Sequence, residues 1–246
     1  RIQMSTVVSI SSDFSFSFSD GNVLFSTDGQ ELNLGKGNIY GLYGANGVGK
    51  TTFLNVVNTI IKPTTGSIKY QFQGKSYVFD SSSQHLNADL IANNIRRSFQ
   101  VPLLIDEWSV LENIQLVNRK CDDENSKHFF DKNCSSVDEE TERLMLIAGF
   151  TDKDIAGNLS YGQRRLLANL QMIYSEAPLL ILDEPFANLH ERIVTILQGE
   201  YRRIVEKKNV TIIVVEHKRN VIEVFSDRII SIKDKRLFFE GTYAES

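Results

Sequence analysis

Ile39-Tyr40-Gly41-Leu42-Tyr43-Gly44-Ala45-Asn46-Gly47-Val48-Gly49-Lys50-Thr51-Thr52 is the stretch from which the fold can be read. With Asn38 its first part makes a short apolar strand, and its last part runs into Phe53-Leu54-Asn55-Val56-Val57, which reads as a helix. Between them Gly44–Thr51 fits the spacing G-x-x-x-x-G-K-[ST]. Glycines there let the backbone curl so that several N–H groups point inward at a phosphate, with a helix N-terminus behind them. Lys50 would reach the β- and γ-phosphates, and the Thr51 hydroxyl would ligate Mg²⁺. Such a loop specifies a nucleotide without specifying a reaction.

Downstream, Leu179-Leu180-Ile181-Leu182 is a second apolar strand, and it ends on Asp183-Glu184-Pro185. In an open parallel sheet, ligands sit at this end of the strands. Asp183 is placed to hold Mg²⁺, and Glu184 to polarise an attacking water, which requires a carboxylate within hydrogen-bond reach. Val210–Val215 is another strand without alternation, as expected when both faces are covered.

The remaining chain is read around these strands. Phe14-Ser15-Phe16-Ser17-Phe18 alternates strictly and reads as a half-buried strand, Asp20-Gly21-Asn22 as a turn and Val23-Leu24-Phe25 as the return strand. Ser67–Phe72 and Tyr77–Phe79 read as strands, and Arg228–Ile232 with Leu237–Phe239 as a terminal hairpin. Val110–Val117 and Asp138–Ala148 have helical spacing. The polar stretch Arg119–Ser136, with Cys121 and Cys134, reads as a surface loop or frayed helix.

Composition excludes whole classes. The chain has 246 residues, enough for a core domain with a subdomain, and 15 glycines with 4 prolines exclude collagen-like and disordered chains. Two cysteines make neither a disulfide scaffold nor a zinc site. A net charge of −4 gives no footprint for nucleic acid. No apolar run is long enough to span a bilayer. The first residues show no secretory h-region, and the pattern before and after the motifs leads us to expect neither a leader nor a sizeable regulatory domain after Phe239.

Leu159-Ser160-Tyr161-Gly162-Gln163 precedes the acidic strand by one helix, expected over Arg164–Tyr174. With this motif the chain resembles the ATP-binding-cassette (ABC) ATPases over almost its whole length. The family signature is LSGGQ, and Tyr161 stands for its first glycine. The resemblance implies an α/β fold: a P-loop NTPase core with an N-terminal antiparallel β subdomain and an inserted helical subdomain. Residues 1–100 and 159–246 would form the ATP-binding core and 101–158 the helical subdomain.

Site residues follow from the same resemblance. Phe18 would stack on adenine. Gly44, Asn46, Gly47, Gly49, Lys50, Thr51 and Thr52 would hold the phosphates, and Thr51, Gln100 and Asp183 the Mg²⁺. Glu184 would serve the attacking water, Gln100 would contact metal or water, and His217 would bind the γ-phosphate. Gln84 is a weaker candidate for the glutamine position, and His85 and His128 are read as surface residues. His190, in Ala187-Asn188-Leu189-His190, stands where the family often has an aspartate in a loop that touches the opposite subunit.

Ser160, Gly162 and Gln163 would face the ATP of a second cassette, identical or a close paralogue, so that a complete site needs two chains. Mutual completion implies ATP-driven dimerisation. The surroundings of Gln100 (Arg96–Gln100 and Ser109–Asn113) look most like those of branched-chain amino-acid importer and lipopolysaccharide exporter ATPases. The family docks transmembrane permease subunits in a groove near that glutamine. A peripheral subunit on the cytoplasmic face of a membrane is therefore expected, without a span of its own. The alternative is a soluble ABC ATPase in macromolecular assembly, of the iron–sulfur type. A kinase or GTPase is a third class, disfavoured because no NKxD motif occurs.

Overall fold

The structure, a computed structural model, describes residues 5–83, 88–117 and 137–240. Gln84, His85, Cys121, His128 and Cys134, and the stretch between 119 and 136 expected as a surface loop, lie outside the described residues.

In chain order the elements begin with β1 (Thr6–Ile10), β2 (Ser15–Ser17), β3 (Val23–Ser26), β4 (Leu32–Gly35), β5 (Ile39–Tyr43) and α1 (Lys50–Val57). There follow β6 (Ser67–Phe72), β7 (Lys75–Asp80), α2 (Ala88–Asn94), β8 (Ile95–Arg97), α3 (Val110–Gln115), α4 (Glu139–Ile147) and α5 (Tyr161–Tyr174). The last are β9 (Leu179–Asp183), α6 (Glu191–Lys208), β10 (Thr211–Val215), α7 (Arg219–Phe225), β11 (Arg228–Lys233) and β12 (Arg236–Phe239). The chain divides into two compact units, residues 1–97, 177–182 and 205–246, and residues 98–176 and 183–204. The subdomain expected at 101–158 falls within the second, which also takes in 98–100, 159–176 and 183–204.

The first unit holds two sheets. One is antiparallel, in the order β4-β1-β6-β7, and β6 alternates buried Ile68, Tyr70 and Phe72 with partly or fully exposed residues, as a strand covered on one face must. The other runs β2-β3-β12-β11-β5-β10-β9-β8. Its centre is parallel: β10 and β11 flank β5, with Val215 opposite Leu42 and Ser231 opposite Tyr43. All five residues of β9 and of β10 are buried, which explains why neither alternates in sequence. A shared core joins the sheets to α1. Phe25 stacks on Phe14 at 6.2 Å between ring centroids and meets the edge of Phe53 at 5.9 Å. Burying each such ring stabilises the fold by roughly 2–3 kcal/mol.

The aromatic alternation at Phe14–Phe18 yields a shorter strand than its period suggests. Only Ser15–Ser17 is extended, because turns take both ends: the Phe14 N–H donates to Ser11 O, and the Phe18 N–H to Asn22 O. Phe14 is buried, Phe16 half-buried and Phe18 exposed.

In the second unit three helices start on side-chain caps. Ser109 and Glu112 form a capping box at α3, and Asp138 accepts the Thr141 N–H at α4. At α5, Ser160 and Gln163 form a second capping box, so this helix begins at Tyr161, three residues earlier than the expected Arg164. Each cap is worth about 1 kcal/mol.

Candidate functional site

The residues expected at the site divide between the units: Phe18, residues 44–52 and His217 belong to the first, and Gln100, residues 160–163, Asp183 and Glu184 to the second.

In the first unit the loop after β5 turns through Gly47 at φ 78° and reaches α1 through Gly49 at φ 108°, a conformation that suits glycine. A Cβ at Gly44 would lie 2.8 Å from Ile232 O, and one at Gly49 would lie 2.9 Å from Leu24 of β3. The loop is thus wedged between strands, with no room for side chains at its two ends. The Lys50 ammonium donates to Gly44 O at 2.8 Å and Ala45 O at 3.0 Å, folding over the loop that it belongs to. Asn46 and Thr51 are exposed and Thr52 is half-buried. Bare backbone beside a lysine and a hydroxyl is a donor set suited to phosphate oxygens and a hard cation.

The parallel register puts His217 at the same edge of the sheet. Val215 pairs with Leu42, so Glu216-His217 leaves β10 where Tyr43-Gly44 leaves β5. His217 is exposed and Glu216 buried. Phe18, 52% exposed, sits beyond β2 with its ring edge-on to Phe16 at 6.1 Å, on the hairpin whose Leu24 and Phe25 abut Gly49.

A residue missed in the sequence follows His217. Arg219 lies over the Tyr43 ring at 4.7 Å and donates to both Glu240 oxygens at 2.7 and 3.1 Å. Burial alone would raise the Glu240 carboxyl, but Arg219 and the Ser231 hydroxyl, 2.6 Å away, hold it below the ordinary carboxylate value. This ties the start of α7 to the end of β5 through partners distant in sequence, and no local pattern announces it.

In the second unit Asp183 is buried and its backbone N–H donates to Ser98 Oγ at 3.0 Å. Glu184 has φ 51°, unusual for a residue other than glycine, and such conformations persist only where the surroundings enforce them. Its Oε1 accepts a hydrogen bond from Gln100 Nε2 at 2.7 Å, so the structure joins two of the expected site residues directly.

The signature segment is anchored from below. Gln163 accepts the Ser160 N–H at 2.8 Å and donates to Ala148 O at 3.0 Å and Gly149 O at 3.2 Å, so its amide bridges the start of α5 to the end of α4. Gly162 faces Asn188 O, which a Cβ would approach to 3.3 Å. Ser160 is exposed at the head of the 14-residue α5. His190 is exposed, and its Nδ1 accepts the Arg192 N–H at 3.3 Å at the start of α6. Beneath, Asn169 donates to Arg165 O and Pro185 O, both at 2.9 Å, and accepts the Tyr201 hydroxyl at 2.7 Å. Asn169 and Tyr201 were not legible as site supports, since each reads as an ordinary helix residue.

Among the described residues no helix is long and apolar enough to cross a membrane. A family model described as "ABC transporter" matches residues 27–187. The chain is similar to the methionine import ATP-binding protein of Mannheimia succiniciproducens, 28% identical over 92% of this chain and 62% of the relative. It is also similar to the phosphonates import ATP-binding protein of Agrobacterium fabrum, 26% identical over 89% of this chain and 76% of the relative. The chain thus spans about three-fifths of the length of the methionine importer proteins it matches. Among solved structures it resembles a cassette of the cbiONQ transporter complex of Clostridium perfringens, with TM-score 0.71, 22% identity and 95% of this chain and 87% of the other covered. It resembles equally a dimeric cassette in a post-hydrolysis state with ADP and phosphate, with TM-score 0.71, 19% identity and 96% and 99% covered. At these identities the structures speak to the fold, and it is the expected one.

Proposed function

The chain belongs to the ABC transporter family, and from that premise we propose that it is the ATP-hydrolysing subunit of a membrane transporter, driven by ATP-dependent pairing with a second cassette. The observation that carries the pairing is the exposed Ser160 at the open end of α5. A helix N-terminus attracts anions, and this sequence has one phosphate-loop motif and one signature motif. Each chain would grip a triphosphate with the loop and offer Ser160 and Gly162 to that of its neighbour. ATP would favour the paired state because only pairing completes the phosphate contacts, and hydrolysis would remove that differential affinity.

In this reading the loop amides and Lys50 hold the phosphates, assisted by Asn46 and Thr52, while Phe18 supplies a face for adenine. Thr51, Asp183 and Gln100 would hold Mg²⁺, which supplies charge neutralisation on the phosphates. Glu184 orients the water for in-line attack, and His217 binds the γ-phosphate. Phe99, Val101 and Leu103 around Gln100 are exposed apolar residues, a surface suited to a permease subunit and one that supports the transporter reading over soluble assembly. The relatives named for methionine and phosphonate import point the same way.

Light scattering of Glu184→Gln with MgATP tests the pairing: a dimer that reverts to monomer without nucleotide is expected, and monomer at every protein concentration would overturn it. Affinity capture then separates the two settings. Recovery with membrane proteins supports the transporter, and recovery with soluble proteins alone supports the assembly ATPase.

A further inference from the structure

Tyr161 departs from the glycine of the family signature, and the structure shows what its side chain does. The Tyr161 hydroxyl donates to Gln100 O at 3.2 Å and accepts from Arg165 Nη2 at 3.2 Å. Arg165 is buried, 3% exposed, and donates to Phe99 O at 3.0 Å and to Gln100 O. Its guanidinium carbon lies 5.7 Å from the centroid of the Tyr161 ring. One phenol and one buried guanidinium, a helical turn apart on α5, therefore clasp the main chain of residue 100. From that fixed backbone the Gln100 side chain reaches Glu184 Oε1 at 2.7 Å. Glu184 itself sits at φ 51°, so its carboxylate depends on outside contacts for its aim.

We propose that Tyr161, acting with Arg165, is a positioning residue for Gln100 and through it for the Glu184 carboxylate. The proposal rests on the reading of Glu184 as the group that orients water. A hydroxyl is suited to this place because it donates to the carbonyl while accepting from the guanidinium, which neither a glycine nor a phenylalanine can do. The bonds join residues about 60 positions apart. The head of the signature helix thereby fixes a side chain at the acidic end of β9.

The test is ATP hydrolysis by the full chain carrying Tyr161→Phe, Gln100→Ala, or both. Tyr161→Phe keeps the ring over Arg165 and removes one hydrogen-bonding group, so kcat should fall roughly 3- to 10-fold. KM for ATP should stay within about twofold, since the contact touches the main chain of residue 100 and none of the loop residues 44–52. In the Gln100→Ala background the same substitution should change kcat by less than about twofold, because the Gln100 amide that carries the effect is gone. Equal losses in both backgrounds, or a raised KM with unchanged kcat, would overturn the proposal. A second readout needs no turnover: the ¹⁵N-labelled side-chain amide of Gln100, identified by its loss in Gln100→Ala. In nucleotide-free protein it should shift in both Glu184→Ala and Tyr161→Phe. A resonance unmoved by Tyr161→Phe refutes the positioning role, even for a protein that hydrolyses no ATP. Conversely, a wild-type protein inert toward ATP refutes the proposed function and leaves this measurement to decide the contact.

Discussion

Two helix starts, one in each unit, at Gly49 before α1 and at Ser160 before α5, are built in opposite ways. Gly49 lies at φ 108° and, as the N-cap residue, makes no side-chain cap bond. Ser160 lies in the extended region at φ −62°, and Gln163 completes a capping box with it. Free helix-start amides must find partners. The first start is thus built from bare backbone, whereas the second is closed by its own side chains. The same contrast runs through their surroundings. The loop at 44–49 is held by close backbone packing, with Leu24, Phe25, Val48 and Ile232 against its glycines. The segment at 160–165 is held by side-chain hydrogen bonds to Gln100, Ala148 and Gly149. Two ways of holding a helix end imply two ways of breaking it.

The largest effect is expected at Glu184, the carboxylate proposed to orient water. Glu184→Gln keeps the shape and loses the charge, so turnover should fall by about 10²- to 10⁴-fold with ATP affinity nearly unchanged; a loss below about tenfold would mean that another group orients the water. Next comes the backbone cradle. Gly49→Ala places a methyl 2.9 Å from Leu24 in a conformation costly for alanine. Affinity for a fluorescent ATP analogue should drop by roughly 100-fold, and retention within a few-fold would break the claim that packed backbone holds the phosphates.

Asn169→Ala probes the side-chain scaffold without touching the nucleotide. It removes the acceptor of the Tyr201 hydroxyl bond and the side-chain donor to Pro185 O, while Arg165 O keeps its helical N–H, so urea unfolding should show a loss of about 2 kcal/mol. A change below about 0.5 kcal/mol would remove this network from the account.

The smallest effect concerns the cap of α4. Burial would raise the Asp138 carboxyl, but the Thr141 N–H and hydroxyl, the Tyr174 hydroxyl and the Arg203 charge hold it below the ordinary value. A carboxyl lowered by folding stabilises above its unfolded pKa and ceases to do so as pH falls through its folded one. The stability of the wild type should therefore decline more than that of Asp138→Asn as pH drops below about 4. Asp138 is half exposed, so the difference should stay under about 1 kcal/mol. Parallel pH profiles would show that the cap does not titrate with folding.

The glycine-rich loop was legible because its geometry makes local demands: positive φ and absent side chains restrict residue type, and Lys50 must follow at one spacing. The parallel strands were legible for a similar reason, since burial on both faces removes alternation from Leu179–Leu182 and Val210–Val215. The strand at Phe14–Phe18 was legible as to kind but not extent, because turn bonds to Ser11 and Asn22 decided where it stops. α5 starts three residues before Arg164, because Ser160 and Gln163, letters of the signature motif, also close a capping box.

By itself, then, the sequence determined the glycine-rich loop between β5 and α1, the acidic end of β9, the helix that follows Ser160 and the class of fold that carries them. Tertiary structure alone decided that Gln100 binds Glu184, that Tyr161 and Arg165 clasp residue 100, and that Arg219 joins Tyr43 to Glu240. These contacts link residues from 21 to 176 positions apart. A hydrogen bond depends on distance and direction in space, and a linear string records neither until the chain has folded.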